Sequence, residues 1–222
     1  MTRRNVFITG GTGYVGRALI PRLLEHGHAV RGLVRQGSEQ KLPMGCEAVI
    51  GNALDASTFA GQIGPSDTFV QLVGVPHPSP SKAAEFKSID LASVRASITA
   101  AAGARVTHFV YVSVAQPAPL MKAYQAARAE GERLIGESGL AATILRPWYV
   151  LGPGHRWPYA LKPMYWLFEH LPATRKTALR LGLVTLEEMV AALVSAVESP
   201  PGQIRILDVP SIRSAASANR LE

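Results

Sequence analysis

Phe7-Ile-Thr-Gly-Gly-Thr-Gly-Tyr-Val-Gly16 sets glycines at 10, 13 and 16, directly after the apolar run Asn5–Thr9 and directly before a helical pattern over Tyr14–His26. Gly10 permits a tight turn off a strand, and Gly13 lets the backbone approach a ligand. Gly16 lets the helix pack closely on the strand. The free N–H groups of a helix N-terminus then offer a partial positive charge to phosphates, so the spacing fits the pyrophosphate of a dinucleotide. No Lys-Ser/Thr pair follows the glycines, which sets aside a nucleoside-triphosphate loop.

Strand and helix patterns alternate outward from this loop. Strands are expected at Ala29–Val34, Glu47–Ile50, Thr68–Val73, Val106–Val112, Ala142–Leu145 and Gln203–Leu207. Helices are expected at Ser79–Ala102, Leu120–Ser138 and Leu186–Ser199, with a short one capped by Asp55. In the first helix, Val15, Leu19, Leu23 and Leu24 form the buried face. Such alternation predicts an α/β fold: a Rossmann-type, doubly wound parallel sheet covered by helices on both faces. The expected organisation is one domain over residues 1–210. Residues 147–185, rich in Pro, Trp and Tyr, form a small C-terminal substrate-capping region. Residues 211–222 are expected to be a loose tail ending in a vector scar, Leu221–Glu222.

Of the 222 residues, 47% are hydrophobic and 18% charged, a globular composition without an apolar run long enough to span a membrane. The single cysteine, Cys46, cannot form an internal disulfide, so a cytoplasmic location is expected. The histidines lack metal-ligand spacing, and no metal is expected. The net charge of +7 favours anionic partners, but the cations are scattered, so nucleotide rather than nucleic acid is expected. Oligomeric state is not readable.

A site preferring NAD places Asp or Glu about 20 residues past the glycines, to bond the ribose 2′-OH. Here the second strand ends Gly32-Leu-Val-Arg35-Gln36, with no acid. Arg35 is suited to a 2′-phosphate, so NADP(H) is the expected cofactor, with NAD(H) left open.

Together, Thr9–Gly16, Gly51-Asn52-Ala53-Leu54-Asp55, Tyr111-Val-Ser113 and Leu145-Arg-Pro147-Trp-Tyr-Val-Leu-Gly152-Pro-Gly154 resemble the short-chain dehydrogenase/reductase superfamily. The chain is most similar to its atypical NAD(P)H-binding branch, which includes NmrA-like proteins and the 39-kilodalton-subunit type of respiratory complex I. The resemblance runs from about Asn5 to Leu207. It implies cofactor contacts from Gly10, Thr12, Gly13, Tyr14, Val15 and Gly16, with Asn52, Ala53 and Leu54 bordering the adenine. Val73, Gly74 and Val75 would line the cleft, and Pro147 and Trp148 would lie near the nicotinamide. An Asp is usual where Asn52 stands.

The same resemblance implies a Ser, Tyr and Lys trio, with Tyr and Lys four residues apart on one helix. Here Tyr124-Gln-Ala-Ala-Arg128 puts Arg in the lysine's place, and Ser113 stands at the strand end. Tyr124 would donate the proton to a small carbonyl or quinone-type substrate, Ser113 would polarise it, and Arg128 would supply the cation. Two alternatives stay open. One is cofactor binding without turnover, as in a sensor or an assembly factor. The other is simple packing of Tyr124, with Arg128 as an exposed neighbour.

Other features read as ordinary. His77 and His155 lie in Pro-rich loops, Glu130 and Glu132 are expected to be solvated, and Glu187 and Glu188 to start a helix. Over His155–Pro172, Trp157, Leu161, Tyr165 and Phe168 recur at helical spacing. They suggest a lid over the nicotinamide end, with core packing or a peripheral membrane or partner contact as alternatives.

Overall fold

The computed structural model describes residues 2–153 and 175–218. Seven parallel strands form one sheet in the order β3-β2-β1-β4-β5-β6-β9. They are β1 (Asn5–Thr9), β2 (Ala29–Val34), β3 (Glu47–Ile50), β4 (Thr68–Gln71), β5 (His108–Val112), β6 (Ala142–Leu145) and β9 (Ile204–Leu207). Strand order reverses between β1 and β4, and that reversal opens a crevice at the carboxyl ends of the strands. A second, two-stranded parallel sheet joins β7 (Tyr149–Leu151) to β8 (Leu183–Thr185).

Side chains alternate across each strand, so the sheet feeds two cores. Val6 and Ile8 of β1 and Val110 of β5 pack with α1 (Tyr14–Glu25) and α5 (Leu186–Glu198) through Leu19, Leu23, Met189 and Leu193. Phe7, Phe109 and Tyr111 face the other way. They meet Val94 and Ala100 of α2 (Ala92–Gly103) and Ile135 of α3 (Lys122–Glu137). Phe69 lies 5.3 Å from both Phe7 and Phe109, forming an aromatic row across three strands. Both faces being covered explains why the strands read as near-continuous apolar runs.

Three local features depart from the sequence expectation. The helix expected over Ser79–Ala102 is interrupted by a π-helical turn at Phe86–Leu91, which carries Asp90 into the interior. Residues from Ser211 on do not form a loose tail as far as Ala218. They belong to α6 (Val209–Ala218), whose Val209 and Ile212 dock on the first core and whose Ala216 is also buried. These apolar residues fall on one helical face, and the small polar residues between them hid the pattern. The third is the β7–β8 pair in the expected capping region, whose strands of three residues are too short for periodicity to reveal. A short helix, α4 (Arg175–Arg180), precedes β8. The stretch His155–Pro172, read as a lid, lies outside the described residues, as does His155 itself.

His108 is fully buried on β5, with Nε2 3.0 Å from the Thr143 hydroxyl. Burial, helped by Arg205 and Arg4, lowers its pKa from 6.5 to about 4. The unfolded chain therefore binds a proton between these values that the folded chain refuses. Stability from this residue is complete above pH 6.5 and is lost as pH falls toward 4, by about 3 kcal/mol. Urea denaturation across this window is expected to show that loss, and His108→Gln should flatten its part of the slope.

Candidate nucleotide cleft and the residues around it

Gly10 has φ +80°, and a Cβ there would stand 2.8 Å from the Leu72 carbonyl carbon. At Gly16 a Cβ would meet the Gly10 oxygen at 2.5 Å, so this glycine lets α1 press against the turn. Gly13 is the N-cap of α1 and makes no side-chain cap. No acid occupies the first turn. The helix end therefore presents free amides and positive potential.

These residues open onto a cavity of about 380 Å³ at the strand-order reversal. Gly10, Thr12 and Gly13 form one wall, and Val73 and Gly74 form the floor. Asn52, Ala53 and Leu54 border one end, where the Asn52 side chain accepts from the Leu54 amide and fixes the turn. Arg35 lines the same end with two residues the sequence reading missed, Ser38 and Lys41. Lys41 sits on a 3-10 turn (Glu39–Lys41) that brings the chain back toward Arg35. Arg35 and Lys41 are exposed and have no ion-pair partner among the described residues. No carboxylate lines the cavity. An uncapped helix N-terminus, a glycine floor and two exposed cations fit the phosphates of a dinucleotide.

Other expected cofactor residues lie off this cavity. Tyr14 turns its hydroxyl against Gly152, and Val15 packs against the first core. The Val75 amide donates to Asp90 Oδ2 at 3.1 Å. The Pro147 carbonyl accepts from the Ala115 amide at 2.9 Å, and Trp148 packs on Ala115, Ala118 and Leu181.

Tyr124, Arg128 and Glu132 succeed one another at four-residue spacing on α3 and so share a face. Arg128 is not the exposed neighbour considered above. Its side chain is 6% exposed, and it donates to Asp90 Oδ1 at 2.6 Å and to the Val112 carbonyl at 2.8 Å. It packs so tightly on Gly74 that no Cβ would fit there. Burial pushes the Asp90 carboxyl above its ordinary value, while Arg128 and the Val75 amide pull it back. Tyr124 is half-buried, with its ring 5.0 Å from Phe86 and 5.2 Å from the Arg128 guanidinium carbon.

Ser113 is 2% exposed, and its hydroxyl donates to Glu132 Oε1 at 2.5 Å. Glu132 also accepts from Gln116 and from Arg146, and its side chain is only 10% exposed. It is therefore not solvated as expected: three donors from the ends of β5 and β6 draw it inward. Glu130 does stay near the surface, bonded to Arg133. Glu188 forms a capping box with Thr185 at the start of α5, and His77 is exposed after β4. The missed residues left faint traces: Asp90 is a lone acid on an apolar helical stripe, and Glu132 lies four residues past Arg128.

Residues 10–156 match the sequence profile of an NAD(P)H-binding family. The chain belongs to that NAD(P)H-binding family. Among curated relatives, it is 27% identical over 208 residues to a ceramide reductase of Caulobacter vibrioides, covering 92% of this chain and 64% of the relative. It is 25% identical over 168 residues to the 4-hydroxy-2-methyl-3-oxo-4-farnesyl-3,4-dihydroquinoline-1-oxide ketoreductase of Stigmatella aurantiaca, covering 66% of this chain and 50% of the relative. The chain thus spans about half to two thirds of their lengths. Among solved structures, a short-chain dehydrogenase/reductase superfamily protein from Agrobacterium tumefaciens with bound NAD superposes with a TM-score of 0.66 at 19% identity, covering 96% of this chain and 82% of that one. The Bordetella bronchiseptica enzyme WbmH with NAD+ gives 0.59 at 20% identity, covering 94% and 88%. The NAD(P)H-binding chain therefore has the fold of that superfamily. No helix among its described residues is long and apolar enough to cross a membrane.

Removing one partner of a buried ion pair strands the other charge. Arg128→Ala is expected to lower unfolding free energy by about 3–5 kcal/mol. The apolar double replacement Asp90→Leu with Arg128→Met should lose less. Urea titration of the variants checks both.

Proposed function

We propose that this chain is an NADP(H)-dependent reductase of a carbonyl or quinone-type substrate, with Tyr124 as the proton donor. One observation carries the cofactor choice: Arg35, Ser38 and Lys41 line the cleft end together, and no carboxylate lines it, Glu39 of the same turn accepting instead from the Gly37 amide. Arg35 and Lys41 would hold a 2′-phosphate by charge-assisted hydrogen bonds, and the N-terminus of α1 would hold the pyrophosphate. The bound cofactor supplies a hydride. Two curated relatives are named as a reductase and a ketoreductase, which supports the reaction class.

Within the trio, the geometry favours changed roles. Tyr124 is half-buried and makes no hydrogen bond among the described residues, so its phenol is available to give a proton to a substrate oxygen. Ser113 already donates to Glu132, and Arg128 is engaged beneath Gly74. Both then act as positioning residues, holding the β5 and β6 loops and the helix that carries Tyr124. Arg128→Lys would consequently not restore a lysine-type contact, because the shorter point donor loses the fork that bonds Val112 and Asp90 together. The engagement of Ser113 and Arg128 also favours a second reading, in which the chain binds the nucleotide and signals its occupancy without turnover.

NADPH is expected to bind about ten- to a hundredfold more tightly than NADH. Arg35→Asp should erase or reverse the preference, and Lys41→Ala should reduce it. Calorimetric titration of both nucleotides decides this, and equal affinities in the unaltered protein would sink the NADP(H) assignment.

Single-turnover hydride transfer to a panel of aldehydes, ketones and quinones tests the chemistry. Tyr124→Phe is expected to slow it by about a hundredfold or more while leaving NADPH affinity unchanged. Undiminished rates would exclude Tyr124 as donor. Tight NADPH binding without turnover on any substrate would select the second reading.

A further inference from the structure

Beyond the nucleotide cleft, a second cavity of about 340 Å³ opens at the carboxyl ends of β5, β6 and β9. Gln116 comes from the loop after β5 and Arg146 from the end of β6. Arg180 closes α4, while Asp208 and Ser211 begin α6. The cavity lies on the same carboxyl-end edge of the sheet as the nucleotide cleft, the edge on which open α/β folds bind their ligands.

The polar groups around the cavity differ in how far they are already satisfied. Arg146 is engaged by Glu132, to which it donates from both Nε and Nη2. Asp208 Oδ1 accepts from the Ser211 amide at 3.1 Å and hydroxyl at 2.7 Å, so that carboxylate caps the helix. Arg180 is different. Its guanidinium has no ion pair or hydrogen bond among the described residues, and its Nε is buried without a partner. Buried donors in native proteins are nearly always matched by an acceptor, and a planar guanidinium best matches a planar or tetrahedral oxyanion. Next in sequence, Leu181 turns into a buried apolar cluster with Ala115 and Ala118, against which the half-buried Trp148 packs.

We infer that this cavity is a subsite for an anionic group on the substrate, a carboxylate or a phosphate, received by Arg180. The inference rests on the reductase reading above and adds the class of substrate: a carbonyl compound with an anionic end.

The test compares oxo-carboxylates of increasing chain length, and an oxo-phosphate, with the matching uncharged methyl esters. Binding to the full chain saturated with NADPH is measured by calorimetry, and reduction is followed separately. The acids or the phosphate are expected to bind about ten- to a hundredfold more tightly than the esters, the range of a hydrogen bond to an ion. Arg180→Gln should remove the difference without altering NADPH affinity, and Arg180→Lys should retain part of it. Which anion binds better identifies the group. Equal binding of acid and ester, binding of neither, or a preference untouched by Arg180→Gln overturns the subsite. Preferential binding of the acids with no reduction of any compound leaves the subsite standing and overturns the reductase reading instead.

Discussion

Asp90 and Arg128 meet in the interior at 2.6 Å, with the carboxylate fully buried and the guanidinium nearly so. Withdrawing two charges from water costs several kcal/mol each, and only close geometry with further hydrogen bonds offsets it. Here the further bonds are the Val75 amide to Asp90 and Arg128 to the Val112 carbonyl. Through them one ion pair ties the chain beyond β4 and the end of β5 to α3. The π-helical turn at Phe86–Leu91 carries Asp90 and delivers it to that point. The glycine at 74 gives way to the guanidinium, since any side chain there would collide with it.

A second tie lies one helical turn further along α3. Glu132 gathers Ser113, Gln116 and Arg146, and so binds the ends of β5 and β6 to the same helix. Together the two ties fix Tyr124 from behind while occupying the serine and the cation that the superfamily pattern offers beside it. The fold is thus kept while these side chains take up structural contacts, in line with function residing in grafted groups rather than in architecture.

Positive groups stand along the rim formed by the carboxyl ends of the strands. Arg35 and Lys41 stand at one end, the positive terminus of α1 in the middle, and Arg180 beyond β6. Positive groups so placed favour the approach of anionic ligands.

The sequence alone determined the sheet, its parallel order of elements and the glycine cradle. These depend on local periodicity and on backbone freedom at Gly10 and Gly16, properties carried by a few adjacent residues. It also placed Arg35 at the nucleotide cleft, because one strand end fixes that position. Lys41, Asp90, Glu132 and Arg180 acquired meaning only in the folded chain. The burial of Arg128 against Asp90 and of Ser113 against Glu132 came to light only there, for the same reason. Whether a charged side chain faces water or a partner depends on residues brought to it from distant strands. Helical spacing reveals which residues share a face, but not what that face meets, and the tertiary packing of β4, β5 and β6 against α3 supplied the answer.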